Sequence, residues 1–202
     1  MTEDELLDRL CRIYASIKGS IEFDMAKLPA RIIKAEHTVA FVQDFAGGQS
    51  EHEIANLAHT LIHNIASLQD HLRRWAATNG KDKTKVDEIF DNSPELQLIT
   101  DLWNNDKHGY PPRDGGQSGK APKLVYVRRQ MRLKTKPTAG SFVAMTFGPR
   151  GVPKITGDGS ANAVVTGDVV DRNGVLIGDL FDIEQQAVET WERLLREFGV
   201  VM

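Results

Sequence analysis

The chain has 202 residues, 41% of them hydrophobic and 26% charged, with a net charge of -3. That balance fits one large domain or two small ones and excludes a disordered, collagenous or mucin-like chain. A single cysteine, Cys11, excludes an internal disulfide framework and a cysteine-rich zinc module.

The start, MTEDELLDR, is acidic and lacks the apolar run of a signal peptide. No stretch approaches the roughly 18 apolar residues of a membrane span. A cytoplasmic protein without a membrane segment is the expectation. Residues 3 to 108 read as helix. Leu6, Leu7, Leu10, Ile13, Tyr14 and Ile17 recur at helical spacing, and Gly19 suits the end of that helix. Cys11 sits among them, as a core or interface residue. Pro29 can begin a second helix, with Ile32, Ile33, Ala35, Val39, Phe41 and Val42 as its apolar positions. GGQS at 47–50 is a loop. Ser50 with Glu53 forms a capping box for a long helix to about Thr78, whose stripe is Leu57, Leu61, Ile65, Leu68, Leu72 and Trp75. A short amphipathic piece spans Val86 to Phe90. Ser93, Pro94 and Glu95 start a further helix, carrying Leu96, Ile99, Leu102 and Trp103, which Gly109 ends.

GYPPRDGGQSGKAP at 109–122 is linker chemistry, after which the period changes from 3.6 to 2. Strands are predicted at 124–134, 141–147 and 161–171, with a short one near Val152 to Ile155. Asn173-Gly174 turns the chain into GVLIGDLF. The connections are too short for helical crossovers, so the sheet is antiparallel. A last helix, capped by Asp182 with Gln185, carries Ile183, Ala187, Val188, Trp191, Leu194, Leu195 and Phe198 and ends at Gly199. The predicted fold is α+β. A helical bundle (1–108) and a linker (109–122) precede an antiparallel sheet of four or five strands with its helix (123–202). The two parts form either separate domains or one.

His59 and His63 have the HxxxH spacing of two metal ligands on one helix face, joined there by His52 and Asp70. The face lies opposite the apolar stripe, so a solvated polar face is the first reading and a metal site the alternative. The glutamate of the zincin motif is missing. At the end of the fourth helix, WNNDKHG, a helical wheel puts Asp106 near the centre of the apolar face, and an inward carboxylate needs a partner. Lys107 and His108 suit the helix dipole at a C-terminus.

The residues HNIASLQDHL (63–72) and NNDKHG (104–109) together resemble a functionally uncharacterised family of bacterial and phage proteins. In that family a helix like HNLRSALDHL precedes NPDKHR, a β-rich stretch and a final helix. The helical part is also similar to the HEPN superfamily, bundles that often serve as nucleases in toxin and defence systems. The resemblance carries over to His63, Asn64, Ser67, Asp70, His71, Asn105, Asp106, Lys107 and His108. Two arginines of the family pattern are replaced by Ala66 and Gly109. Asp101, Leu102 and Trp103 stand where a HEPN ribonuclease needs an arginine ahead of its histidine. The resemblance therefore implies a fold more than an activity. It also suggests a polar clasp in which a buried Asp106, beside Asn105, contacts Asn64 or His71.

From Lys107 to Lys154 there are eleven Lys or Arg and one acid, Asp114, a stretch of +10 in a chain of -3. Period-2 alternation puts Tyr126, Arg128, Arg132 and Lys134 on one strand face, a footprint that suits nucleic acid. Cations that block edge pairing are the plainer reading. No GxGxxG, Walker or GxSxG motif is present, and GDGS at 157–160 is a turn. Two functional expectations follow. One is a HEPN-like module that binds RNA, DNA or a protein partner, with no cofactor and with room for a homo-oligomer. The other is a hydrolase: a ribonuclease using His108 with Asp106 and Lys107, or a metal enzyme using His59 and His63.

Overall fold

The structure is a computed structural model, and it describes residues 3–22, 28, 30–35, 38–110, 113–148 and 153–200. Helix α1 spans Glu3–Ser20 and leads into a two-residue strand, β1 (Ile21–Glu22). Strands β2 (Ala30–Ala35) and β3 (Thr38–Gln43) pair antiparallel, Ile32 opposite Phe41. The helix expected from Pro29, itself outside the described residues, is thus replaced by a hairpin. Ile32, Ile33, Thr38, Val39 and Val42 are β-branched, lose side-chain freedom in a helix and fit a pleated strand.

Helix α2 (Glu51–Thr78) begins as expected. The Ser50 hydroxyl accepts from the Glu53 amide, and the Glu53 carboxylate accepts from the Ser50 amide at 2.7 Å. Helix α3 spans Thr84–Asp91, and α4 spans Pro94–His108. Ser93 caps α4 through the Leu96 amide, and Gly109 closes it at φ 73°. Only glycine takes that left-handed turn without steric cost.

Strands β4 (Lys123–Lys134), β5 (Val143–Phe147), β6 (Pro153–Gly157), β7 (Ser160–Val170) and β8 (Leu176–Asp179) follow. All described pairings are antiparallel. They form three small sheets rather than one. β7 is the centre of the main sheet, with β4 on one side and β1 and β8 pairing with β7 as well. β2–β3 and β5–β6 are separate two-stranded units. Asp171 fastens the β7–β8 turn, accepting from the amides of Asn173 and Val175, both at 2.8 Å. The Val175 bond foremost holds its carboxyl below the ordinary value, against an opposing effect of burial, with the Asn173 bond adding to the lowering.

Helix α5 (Leu180–Glu197) is capped by Asp179, which accepts from the Phe181 amide. The expected cap, Asp182, lies inside the first turn, because the strand's last residue already serves as the cap. One core joins the helices to the main sheet. Leu6, Leu10 and Ile13 of α1 meet Ile62, Ile65, Leu68 and Leu72 of α2, with Ile99 of α4, Val165 and Val169 of β7, and Trp191, Leu194 and Leu195 of α5. Each such aliphatic side chain contributes about 1.5–3 kcal/mol of burial. Cys11 is exposed rather than in this core. No helix among the described residues is long and apolar enough to cross a membrane.

Candidate functional site

Helices α2 and α4 run antiparallel where the two motifs meet. His59 Nδ1 lies 3.3 Å from Asp106 Oδ1, and one turn on, the His63 ring meets Trp103 edge to face at 5.7 Å between centroids. The order ascends on α2 and descends on α4, as antiparallel neighbours require. Lys107 extends over the other part of this cluster, its ammonium 5.2 Å from the centre of the Trp103 ring. His108 stacks at a tilt against Tyr110, with centroids 6.2 Å apart, and Tyr110 is 60% exposed.

Beside these groups lies an open cleft of about 410 Å³. His59 and Ile62 of α2 and Leu102, Asn105 and Asp106 of α4 form one side, and Lys123, Leu124 and Val125 of β4 form the other. The β4 wall is held in place from α4. Asn105 donates through its side-chain amide to the Pro122 carbonyl at 3.1 Å. One turn earlier, the fully buried Asp101 accepts from the Gln117 amide and from the amide and hydroxyl of Ser118. Gly116 lies against the same carboxylate, where no Cβ would fit: a built Cβ falls 2.2 Å from Asp101 Oδ1. The linker expected between bundle and sheet is therefore, over 116–118, a loop fastened to α4.

The polar clasp is arranged differently from the sequence expectation. Asp106 does face α2, as the wheel indicates, but its side chain is 52% exposed because the last turn of α4 overhangs the cleft. Its partner is His59. Asn64 instead donates to the Ser16 hydroxyl of α1 at 2.8 Å. His71 lies 12 residues beyond His59, about 18 Å along the axis, so it cannot reach Asp106. Burial first, and then the charges of Arg9 and Arg74, hold the His71 imidazole below its ordinary value. The carboxylate buried in α4 is Asp101. Its signal in the sequence is a position one turn after Leu98 and an ensuing run of glycines with amides in need of acceptors.

The metal alternative gathers no site. His59 is beside an aspartate, His63 is against a tryptophan, and His52 and Asp70 are exposed. Among the described residues no three His, Cys, Asp or Glu side chains are grouped to hold an ion. Of the basic strand face, register confirms that Arg128, Arg132 and Lys134 share a side, opposite Thr166, Asn162 and Ser160. The arginines are engaged, however. Arg128 pairs with Asp168 at 2.8 Å, and Arg132 bridges Asp179 and Asp182 while lying over the Phe181 ring. Tyr126 falls in a β-bulge opposite Gly167, with φ 52° and 78% exposure.

No protein-family model, curated protein or solved structure matches the chain.

Proposed function

We propose that the chain is a HEPN-like nucleic-acid-binding protein without a complete catalytic motif, and that it binds single strands at the α2–α4 end rather than on the sheet face. The HEPN kinship is inferred from HNIASLQDHL and NNDKHG, which lie on the neighbouring helices α2 and α4. The observation that carries the binding reading is the Trp103–Lys107–His63 cluster with His108 and Tyr110 beside it. Single-strand binders combine cations for phosphate with aromatic rings on which bases stack. Arg128 and Arg132 support this placement, since each already has a carboxylate.

Anisotropy titration with a labelled oligouridylate or oligothymidylate tests this. Affinity should fall steeply with salt, and Lys107→Glu with Tyr110→Ala should weaken it by about tenfold or more. A flat titration at low salt, or variants that bind as the wild type does, defeats the reading.

The His59–Asp106 pair favours one second reading, a hydrolase. A carboxylate beside a histidine can orient the imidazole as a general base. The contact is at ion-pair distance without hydrogen-bond alignment. The imidazole beside Asp106 is that of His59, while His108 packs against Tyr110, so His59 replaces it as the acid–base candidate. RNA left intact by the wild type after long incubation removes this reading. Cleavage lost in His59→Ala and kept in His108→Ala supports it.

A further inference from the structure

Strand β4 hydrogen-bonds to β7 along one side, and no other described strand pairs with it. β1 meets β7 at Val164 and Ala163, the same residues that β4 pairs through Gln130 and Met131, so β1 lies across β7 from β4. None of the twelve residues of β4 is buried, whereas most of β7 is. A strand paired on one side presents alternate N–H and C=O groups outward, a template for another strand.

The composition of that edge selects what can pair with it. β4 carries Lys123, Arg128, Arg129, Arg132 and Lys134 and no acid. Lys134 and, just beyond the strand, Lys136 have no ion pair among the described residues. Pairing with the β4 edge of a second copy would set like charges across from each other, which destabilises a ladder. An incoming strand of opposite charge gains chiefly at Lys134 and Lys136, since Arg128 and Arg132 already hold carboxylates. The Tyr126 bulge interrupts the ladder after Val125, and an unbroken register runs from Arg128 to Lys134.

We propose that the Arg128–Lys134 edge of β4 accepts an extended acidic peptide as an added antiparallel or parallel strand. Main-chain bonds would supply the affinity and the cationic positions the preference for acid. This surface is separate from the α2–α4 cluster and stands whether or not that cluster binds nucleic acid.

The test uses the full chain and three synthetic peptides: alternating Glu-Val, alternating Lys-Val, and Glu-Val with N-methylated backbone. Binding is read by anisotropy, and the bound region by amide hydrogen exchange. The Glu-Val peptide should bind and slow exchange across residues 128–134. Removing the backbone donors by N-methylation should weaken binding by about tenfold. Lys134→Glu should weaken the Glu-Val peptide by about two- to fivefold and improve the Lys-Val peptide. Several results overturn the proposal. They are no binding, equal binding of the methylated peptide, protection at 103–110 in place of β4, competition by oligouridylate, and a dimer of the chain that protects β4 by itself.

Discussion

Ser118 binds Asp101 twice: its amide and its hydroxyl donate to the same carboxylate oxygen, at 2.8 and 2.6 Å. Asp101 is 0% exposed, and its other oxygen accepts from the Gln117 amide at 2.9 Å. The loop amides thus depend on one side chain for their acceptors. Asp101→Ala should lower the unfolding free energy by about 2–4 kcal/mol, the cost of leaving several buried donors unsatisfied. Asp101→Asn should cost less, since it keeps an acceptor. Gly116→Ala should also destabilise, through overlap with the carboxylate and a φ of 73°. Urea unfolding gives the energies, and hydrogen exchange at 116–118 shows whether the loop has come loose. Full protection there in Asp101→Ala would contradict the structure.

Asp106 should behave otherwise. Its contact with His59 is about half exposed, and exposed pairs contribute roughly 0–1 kcal/mol. Asp106→Ala should therefore unfold within about 1 kcal/mol of the wild type. A loss as large as that of Asp101→Ala would show that the cleft closes over Asp106 in solution.

Arg132 separates the structural reading of the sheet from the nucleic-acid reading. Its side chain is 26% exposed and joins two carboxylates on the β8–α5 corner. Arg132→Gln should cost about 1–3 kcal/mol of stability, because Asp179 then loses its charge partner. Oligonucleotide affinity should stay as it was. Lost affinity with intact stability would return nucleic acid to the sheet face.

Glu184 makes stability depend on pH. It is 3% exposed, its Oε1 has no hydrogen-bond partner, and burial, with a smaller contribution from Asp179, raises its carboxyl well above the ordinary 4.5. The folded chain keeps the proton where the unfolded chain has lost it. Native protein then binds more protons than unfolded protein, and stability falls as pH rises past the unfolded value of about 4.5. Glu184→Gln removes this dependence. Its stability relative to the wild type should increase from pH 4 towards pH 8 in thermal or urea melts. A gap that stays constant with pH would show that Glu184 is ionised inside the folded protein.

The helix boundaries were legible because their determinants are local. Ser50 and Glu53 are three residues apart, Ser93 caps α4 from next door, and Gly109 supplies its own left-handed turn. The stretch at 30–43 misled because apolar spacing alone fits a helix as well as a hairpin there, and the β-branched content was the better guide. A helical wheel assigned Asp106 the correct direction, towards α2, but not its depth. Depth depends on what lies over the helix end, and at Asp106 that is an open cleft while at Asp101 it is a glycine loop.

The basic strand shows the same division over longer distances. Alternation put Arg128, Arg132 and Lys134 on one face, and the register agrees. The acids that engage the arginines arrive from 40 and 50 positions along the chain, through β7 and the start of α5. Sequence by itself determined the α+β order, the main helices with the caps of α2 and α4, and the antiparallel sense of the strands, since hydrogen bonds and side-chain periods a few residues long decide these. Tertiary structure alone decided that His59 meets Asp106, that Asp101 fastens the loop, and which cations have no ion pair among the described residues. Those pairings bring distant residues together, and no local period encodes the distance at which they meet.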